Sequence, residues 1–189
     1  MILSDGGLRD AIARGDLSVV PLIDAHVQPA SIDLTLGDEF LCYKLPAPST
    51  QVFDPWSTPA EDRMFKVKLK EGEPFLLQAG YFALGTTQES VRIGGQLVGR
   101  VDGRSSVGRI GVMVHSTAGF IDPGFEGQIT LELFNLSPYS IALWPGKRVA
   151  QLSIHLMDKV ASESYGDARH SKYLGQTGPV ASRLHLDRK

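Results

Sequence analysis

The sequence predicts a mainly β protein, a β-sandwich or a β-barrel, on three observations. Short β-like runs recur after Pro21, among them SIDLTLG, FLLQAGYFALGTT, QLVGRV, GQITLELFNL and SIALWPGKRVAQLSIHLM. The first of these runs alternates apolar and polar residues with a period of two, as a strand does. Gly, Pro and Asn separate the runs, and the run lengths favour a sandwich or barrel over repeated βαβ units.

One short helix is predicted ahead of these runs, over residues 4–14. Ser4 is a typical N-cap, and Leu8 and Ile12 lie four apart on one helix face. Gly15 stands where a left-handed residue commonly ends a helix. The capping box is incomplete, because Gly7 occupies the position of the usual Glu or Gln.

The remaining segments carry less pattern. Residues 46–63 hold four prolines and predict a surface excursion. Residues 165–189, which we call the tail, are polar with little periodicity, and this composition is typical of a disordered segment. We find no internal repeat and no domain boundary, so we predict a single domain over residues 1–189.

Composition excludes several classes of protein. The formal charge is −2 and no block of Lys and Arg stands out, so we expect no nucleic-acid polymer as partner. No apolar run has the length of a signal peptide core or a membrane span, which predicts a cytoplasmic protein without membrane contact. Cys42 is the single cysteine, so neither an intramolecular disulfide nor a zinc site with two thiolates is expected.

Gly103–Arg109 (GRSSVGR) is the first part of an unusual cluster. It follows a predicted strand and leads into a predicted helical turn. Two arginines, two hydroxyls and the free amides of a helix start are the groups that bind a polyphosphate. The segment lacks the Gly-Lys-Ser/Thr ending of a Walker motif, and a Gly/Ser turn with two solvated arginines fits the spacing equally.

Two further parts follow along the chain. Gly119–Gly127 predicts a hairpin with the turn at Asp122-Pro123-Gly124. Asp122 is either a turn-forming residue or an acceptor for a sugar hydroxyl. In the run ITLELF, Glu132 shares a strand face with a hydroxyl and an aromatic residue. A lone strand Glu is usually solvated, but a partly buried one has a raised pKa and exchanges protons near neutral pH.

Four motifs, in order along the chain, resemble the dCTP deaminases of the trimeric dUTPase superfamily. They are QPASIDLTLG (Gln28–Gly37), GRSSVGRIGVMVHSTAGFIDPGFEGQITLELFN (Gly103–Asn135), LWPGKRVAQL (Leu143–Leu152) and SKYLGQTGPVASR (Ser171–Arg183). The resemblance implies a distorted jelly-roll β-barrel, dUTPase-like, that forms a homotrimer with active sites between subunits. It also implies that the tail is a flexible lid that orders over the nucleotide and excludes water.

The resemblance assigns roles to residues at matching positions. Those implied at the triphosphate are Arg104, Ser105, Ser106 and Arg109. Those implied at the sugar and base are Asp122, Thr130, Leu131 and Glu132. Those implied to close over the nucleotide are Gln151, Tyr165, Lys172 and Gln176. Mg²⁺ is expected to bind through the nucleotide phosphates, with no metal site made by protein ligands alone.

The implied reaction is the hydrolytic deamination of dCTP to dUTP and ammonia. Zinc-dependent deaminases need an H-x-E…P-C-x-x-C pattern, and this chain has one cysteine and no H-x-E. The resemblance therefore implies zinc-free chemistry, in which Glu132 moves protons between a water, ring N3 and the leaving ammonia. It further implies that Ser105 and the backbone carbonyl of Ala118 hold the water and that Arg109 supplies positive charge.

Several alternatives stay open. Gly119 after Thr117-Ala118, together with Gln151, resembles the bifunctional members that also cleave dUTP to dUMP and pyrophosphate. A plain dUTPase or a non-catalytic, nucleotide-binding regulatory trimer would keep the arginine segment. A metal-dependent cupin-type barrel needs clustered histidines, whereas the five here are scattered. We expect His115 and His155 to be satisfied residues of the core or of an interface.

Overall fold

The computed structural model describes residues 1–44, 52–166 and 171–187. The predicted mainly β fold is confirmed. The described strands are β1 Leu17–Val20, β2 Val27–Gln28, β3 Ser31–Thr35, β4 Glu39–Tyr43, β5 Met64–Lys68, β6 Phe75–Leu77, β7 Phe82–Ile93, β8 Leu97–Gly103, β9 Val112–Met113, β10 Phe120–Ile121, β11 Glu126–Asn135, β12 Ile141–Leu143 and β13 Arg148–Leu156. The α-helices are α1 Asp5–Ala13 and α2 Ser105–Gly108, and 3₁₀ turns lie at Asp24–His26, Ala60–Arg63 and Leu184–Asp187.

Two sheets face each other across one apolar core. One has the order β5-β4-β7-β11-β9, with β1 also paired to β7, and the other has the order β10-β8-β13-β3-β2. A short third sheet pairs β12 with β6. The alternation along the strands explains the core, since Leu131 and Leu133 of β11 are buried opposite Leu152 and Ile154 of β13.

The N-terminal helix is confirmed with its predicted ends. The Ser4 side chain accepts a hydrogen bond from the Gly7 amide, which caps the first turn. Gly15 has φ 77°, and its amide donates to the Ile12 carbonyl, as a left-handed residue after a helix does. Leu8 and Ala11 turn inward and join the core.

β3 is buried on both faces although its sequence alternates. Ile32 and Leu34 point into the core. The opposite face is covered because the Asp33 carboxylate, only 3% exposed, lies under two arginine side chains. The polar residue in this strand therefore marks an internal ion-pair site.

The proline-rich excursion is partly as predicted. Val52 and Trp56 are exposed, but Ala60 is buried in a small cluster with Met64 and Leu84. Residues 46–51 of the predicted excursion lie outside the described residues. Over the part of the chain described, no helix has the length and apolarity needed to cross a bilayer.

The predicted hairpin over Gly119–Gly127 is wrong. The turn itself forms, because the Phe125 amide donates to the Asp122 carbonyl and Gly124 has φ 92°. The flanking strands, however, enter different sheets: β10 pairs with β8, and β11 pairs with β7 and β9. Local turn chemistry does not determine which distant strand each arm pairs with, so the segment crosses between the sheets.

Candidate active site

One cavity of about 850 Å³ lies where β10, β11 and the tail meet. Its volume is within the range of small-ligand sites, about 300–1,000 Å³. Among the residues predicted from the sequence, those that line it are Ala118, Asp122, Thr130, Glu132, Tyr165, Lys172 and Gln176. We call it the Glu132 cavity.

β11 delivers Glu132 to the cavity. Along this strand Ile129, Leu131 and Leu133 are buried, while Thr130 and Glu132 are half-buried and line the cavity. The Glu132 Oε2 atom accepts hydrogen bonds from the Ser116 amide at 3.1 Å and the Ser116 hydroxyl at 2.7 Å. Two donors from one residue fix the orientation of the carboxylate.

The expected rise in the pKa of Glu132 is wrong for this chain. Burial does act to raise the pKa, but hydrogen bonds from the side chain and amide of Ser116, the charge of His115 and the Thr117 amide lower it further than burial raises it. The net pKa lies below the ordinary glutamate value. Glu132 is therefore a carboxylate near neutral pH, ready to accept a proton.

His115 lines the cavity and is not a core residue, whereas its expected place at an interface stays a prediction. It lies half-buried beside Glu132, with Nε2 2.8 Å from the Ala118 carbonyl oxygen. Its Nδ1 is buried without a hydrogen-bond partner among the described residues, so the ring is not satisfied. The Ala118 carbonyl, which is predicted to hold the water, thus already contacts the His115 imidazole.

Asp122 and Tyr165 form the other wall of the cavity. The backbone carbonyl of Asp122 closes the turn. Asp122 is also exposed and lines the cavity, and its contact with a sugar hydroxyl stays a prediction. The Tyr165 ring packs against Phe125 with centroids 5.9 Å apart. Burial raises the pKa of Tyr165, so its hydroxyl stays protonated at neutral pH.

The described part of the tail packs on β11. The Val180 amide donates to the Thr130 hydroxyl at 3.2 Å, and the Gln176 amide group donates to the Gln128 carbonyl at 2.6 Å. The Gln176 Oε1 atom is buried without a partner among the described residues, which leaves an acceptor beside the cavity. Residues 167–170 and 188–189 lie outside the described residues, and ordering of the tail by nucleotide stays a prediction.

The arginine segment lies away from this cavity. Arg104 caps α2, and Ser105, Ser106 and Arg109 are exposed on that single turn, with Arg109 Nε 3.3 Å from the Ser105 hydroxyl. None of these four lines the Glu132 cavity within one chain. The structure thus forms the predicted helical turn and divides the predicted site into two groups.

An ion-pair cluster that sequence analysis missed holds Arg104. The Arg104 Nε lies 3.3 Å from one oxygen of Asp33, and the Arg148 Nη1 lies 3.0 Å from the other. Two guanidinium groups on one carboxylate leave a net positive charge beside the amides that start α2. The charged residue Asp33 in the alternating run SIDLTLG was the available signal.

Two predicted residues lie elsewhere. Gln151 is half-buried on β13, paired with Asp102 and Asp33, and therefore belongs with the arginine group. Leu131 is fully buried in the core, so only its backbone could approach a nucleotide. Ser116 and His115 lie beside Glu132, which the strand pattern did not reveal because both lie in a connection without periodicity.

Comparison with known proteins identifies the family. The family described as dCTP deaminase-like matches residues 2–157. The chain belongs to this family. A relative from Dictyoglomus thermophilum, named dCTP deaminase, dUMP-forming, is 44% identical over 189 residues, covering 99% of this chain and 96% of the relative. A relative from Natronomonas pharaonis, named dCTP deaminase, is 46% identical over 191 residues, covering 100% and 97%.

A solved structure shares the family fold. The 2'-deoxycytidine 5'-triphosphate deaminase from Agrobacterium tumefaciens matches with a TM-score of 0.62 and 23% identity, over 82% of this chain. The match covers 47% of that chain, so this protein spans about half its length. At this identity the likeness concerns the fold alone, and it agrees with the mainly β architecture predicted from the four motifs.

Proposed function

We propose that this chain is a dCTP deaminase that releases ammonia from the cytosine ring without zinc. The observation that carries the proposal is the Glu132 carboxylate, oriented by Ser116 in the cavity and ionised near neutral pH. The choice of dCTP as substrate is supported by relatives named dCTP deaminase, at 44–46% identity over nearly the whole chain.

The proposed chemistry uses Glu132 twice. As a carboxylate it accepts a proton from a water that attacks cytosine C4, and a new C–O bond forms. It passes that proton to ring N3, takes the second proton from the new C4 hydroxyl and gives it to the amino group. The C–N bond then breaks, and dUTP and ammonia result. A positioned acid–base group contributes about 10²–10⁴-fold. Orientation and fixed dipoles, including the Ala118 carbonyl, supply the remainder.

A homotrimer would unite the two groups of site residues. The mechanism needs the arginine segment near the nucleotide, yet α2 does not line the Glu132 cavity of its own chain. The outer surface of α2 is exposed and continues into Ile110, which is 50% exposed. We therefore place α2 of one subunit at the cavity of its neighbour, where Arg109 and Ser105 would act on the nucleotide.

Mg²⁺ would bind through the triphosphate, where it would neutralise charge and orient the phosphates. The donor set fits this arrangement. The Asp33 carboxylate beside Arg104 already has an arginine at each oxygen, so it holds the phosphate-binding side chains instead of a metal. Arg104 and the α2 amides would bind the phosphate oxygens directly.

A second proposed step is the cleavage of dUTP to dUMP and pyrophosphate, which the resemblance at Gly119 and the names of two relatives support. A Cβ atom at Gly119 would lie 2.6 Å from the Val101 carbonyl oxygen, so the cavity wall has no room for a side chain there. The relatives from Dictyoglomus thermophilum and Methanosphaera stadtmanae are named dUMP-forming. Location in the cytoplasm stays a prediction from the sequence.

Chromatography of the products formed from dCTP over time tests both steps. We expect dCTP to disappear with release of ammonia, and dUMP to appear without a lag behind free dUTP. Accumulation of dUTP alone would support the deaminase activity and contradict the cleavage of dUTP. Conversion of added dUTP to dUMP with dCTP untouched would instead identify a plain dUTPase, and binding without any turnover would identify a regulatory trimer.

The pH dependence of kcat/KM provides a test of the Glu132 environment. The lowered pKa of Glu132 keeps the base ionised until the pH falls below the ordinary glutamate range, so activity should persist to that point. Ser116→Ala removes the 2.7 Å hydrogen bond from the hydroxyl, so the pKa should rise and the acid limb should move to higher pH. Ser18→Ala on β1 is the control, and an unmoved acid limb in Ser116→Ala would contradict this account.

A further inference from the structure

The tail packs along β11 and is joined to it by several hydrogen bonds. The Gly175 amide donates to the Glu126 carbonyl at 2.7 Å, and the Gln128 amide donates to the Gln176 carbonyl at 3.0 Å. The Val180 amide then reaches the Thr130 hydroxyl at 3.2 Å. The contacts advance along both segments in the same direction. The tail thus packs against β11, the strand that also carries Glu132. Glu132 lies two residues beyond Thr130 on this strand.

Gln128 makes more of these contacts than its neighbours do. Its Oε1 accepts a hydrogen bond from the Gly178 amide at 2.7 Å. Its Nε2 donates to the carbonyls of Thr87 and Gln88 on β7, at 3.0 and 3.2 Å. One end of the amide group is therefore fixed to the sheet while the other end holds the tail. Because two carbonyls hold its Nε2, the Gln128 side chain has one orientation. The position of its Oε1 atom therefore determines where the Gly178 amide lies.

A close backbone contact at Gly127 is an independent sign that the tail packs on β11 in a fixed register. Gly127 has φ 146°, and a Cβ there would lie 2.9 Å from the Gln176 carbonyl oxygen. Gly178 has φ 68°, and a Cβ there would lie 2.6 Å from a Glu39 carboxylate oxygen. Gly127 requires glycine because the Gln176 backbone leaves no room for a side chain, and Gly178 requires it because of its left-handed backbone conformation.

We propose that Gln128 is a positioning residue that sets the register of the tail on β11 and so places Lys172 and Gln176 at the cavity. Both of these tail residues line the cavity. Gln128 is not on the cavity lining, so it acts through the tail. The proposal rests on the proposed function for its kinetic consequence, but the register itself does not.

The first test measures amide hydrogen exchange of the tail in the nucleotide-free full-length chain. Gln128→Leu keeps a similar side-chain volume but removes the acceptor for the Gly178 amide. Peptides covering residues 171–187 should then exchange about tenfold faster or more, which is the effect expected for the loss of one buried hydrogen-bond partner. Gly178→Ala disturbs the same contact from the tail side, because alanine is strained at φ 68°, and it should also speed amide exchange over residues 171–187. Gln96→Leu is the control, because Gln96 is exposed and its side chain makes no hydrogen bond with described residues.

Kinetics form the second test. Gln128→Leu should raise KM for dCTP about tenfold while kcat changes less than about threefold, because the tail contacts are lost in the ground state and the transition state alike. Unchanged tail exchange in Gln128→Leu, or faster exchange spread equally over β7 and β11, would overturn the proposal. If the wild-type chain releases no ammonia, the proposed function fails, and the exchange measurement still decides the register.

Discussion

Glu132→Gln should lower kcat for dCTP deamination by about 10²–10⁴-fold, the contribution of a positioned acid–base group. The amide keeps the shape of the carboxylate and can still accept the Ser116 hydrogen bonds, so the cavity should persist. It cannot accept a proton from water, however, and the proton relay stops. KM should change little, because the phosphate and tail contacts do not involve this side chain.

Steady-state rates of ammonia release, with nucleotide binding measured by calorimetry, check this expectation. Glu71→Gln provides the matched control, since Glu71 is an exposed carboxylate in the turn before β6, away from the Glu132 cavity. The control should keep the wild-type rate. Unchanged turnover in Glu132→Gln would falsify the proton relay, and lost turnover with lost binding would indicate a role in recognition.

Arg109→Ala should reduce kcat/KM by about 10²-fold or more, because a fixed cationic donor near the reacting groups is lost. Arg109 is exposed on α2 and contacts Ser105 alone among the described residues with its Nε, so the fold should tolerate the change. The reason for a large effect lies in another subunit: the proposed trimer places this side chain at the cavity of a neighbouring chain.

Mixing two inactive variants tests that placement. Arg109→Ala subunits supply an intact Glu132, and Glu132→Gln subunits supply an intact Arg109. Random exchange of equal amounts should rebuild on the order of a quarter of the sites if they lie between subunits of a closed ring. Each variant mixed with itself is the control. If activity does not recover although mass spectrometry shows subunit exchange, Glu132 and Arg109 of one active site come from the same chain.

Local signals predicted much of the fold. The alternation of ITLELF correctly placed Leu131 and Leu133 in the core and Glu132 on the other face, because side chains alternate along any strand. Ser4 and Gly15 correctly ended the first helix, since capping depends on a few adjacent residues. The turn at Asp122 formed for the same local reason.

Properties that depend on distant residues were not predictable from the pattern. The pairing of β10 with β8 joins residues about twenty positions apart, Phe120 with Arg100 and Ile121 with Gly99, so the expected hairpin did not form. The direction of the Glu132 pKa depends on Ser116 and His115, which the fold brings to it from a different connection. The Asp33 cluster likewise joins Arg104, at the start of α2, to Arg148 of β13. The family motifs marked these regions, but only the three-dimensional structure shows the contacts.

Ammonia release from dCTP by the purified wild-type chain is the most direct measurement of the central claim. The assay should follow ammonia and dCTP together, on protein whose zinc content is measured by elemental analysis. The account predicts one ammonia for each dCTP consumed by zinc-free protein, with the rate lost in Glu132→Gln. Binding of dCTP without ammonia, or activity that rises in proportion to bound zinc, would contradict it.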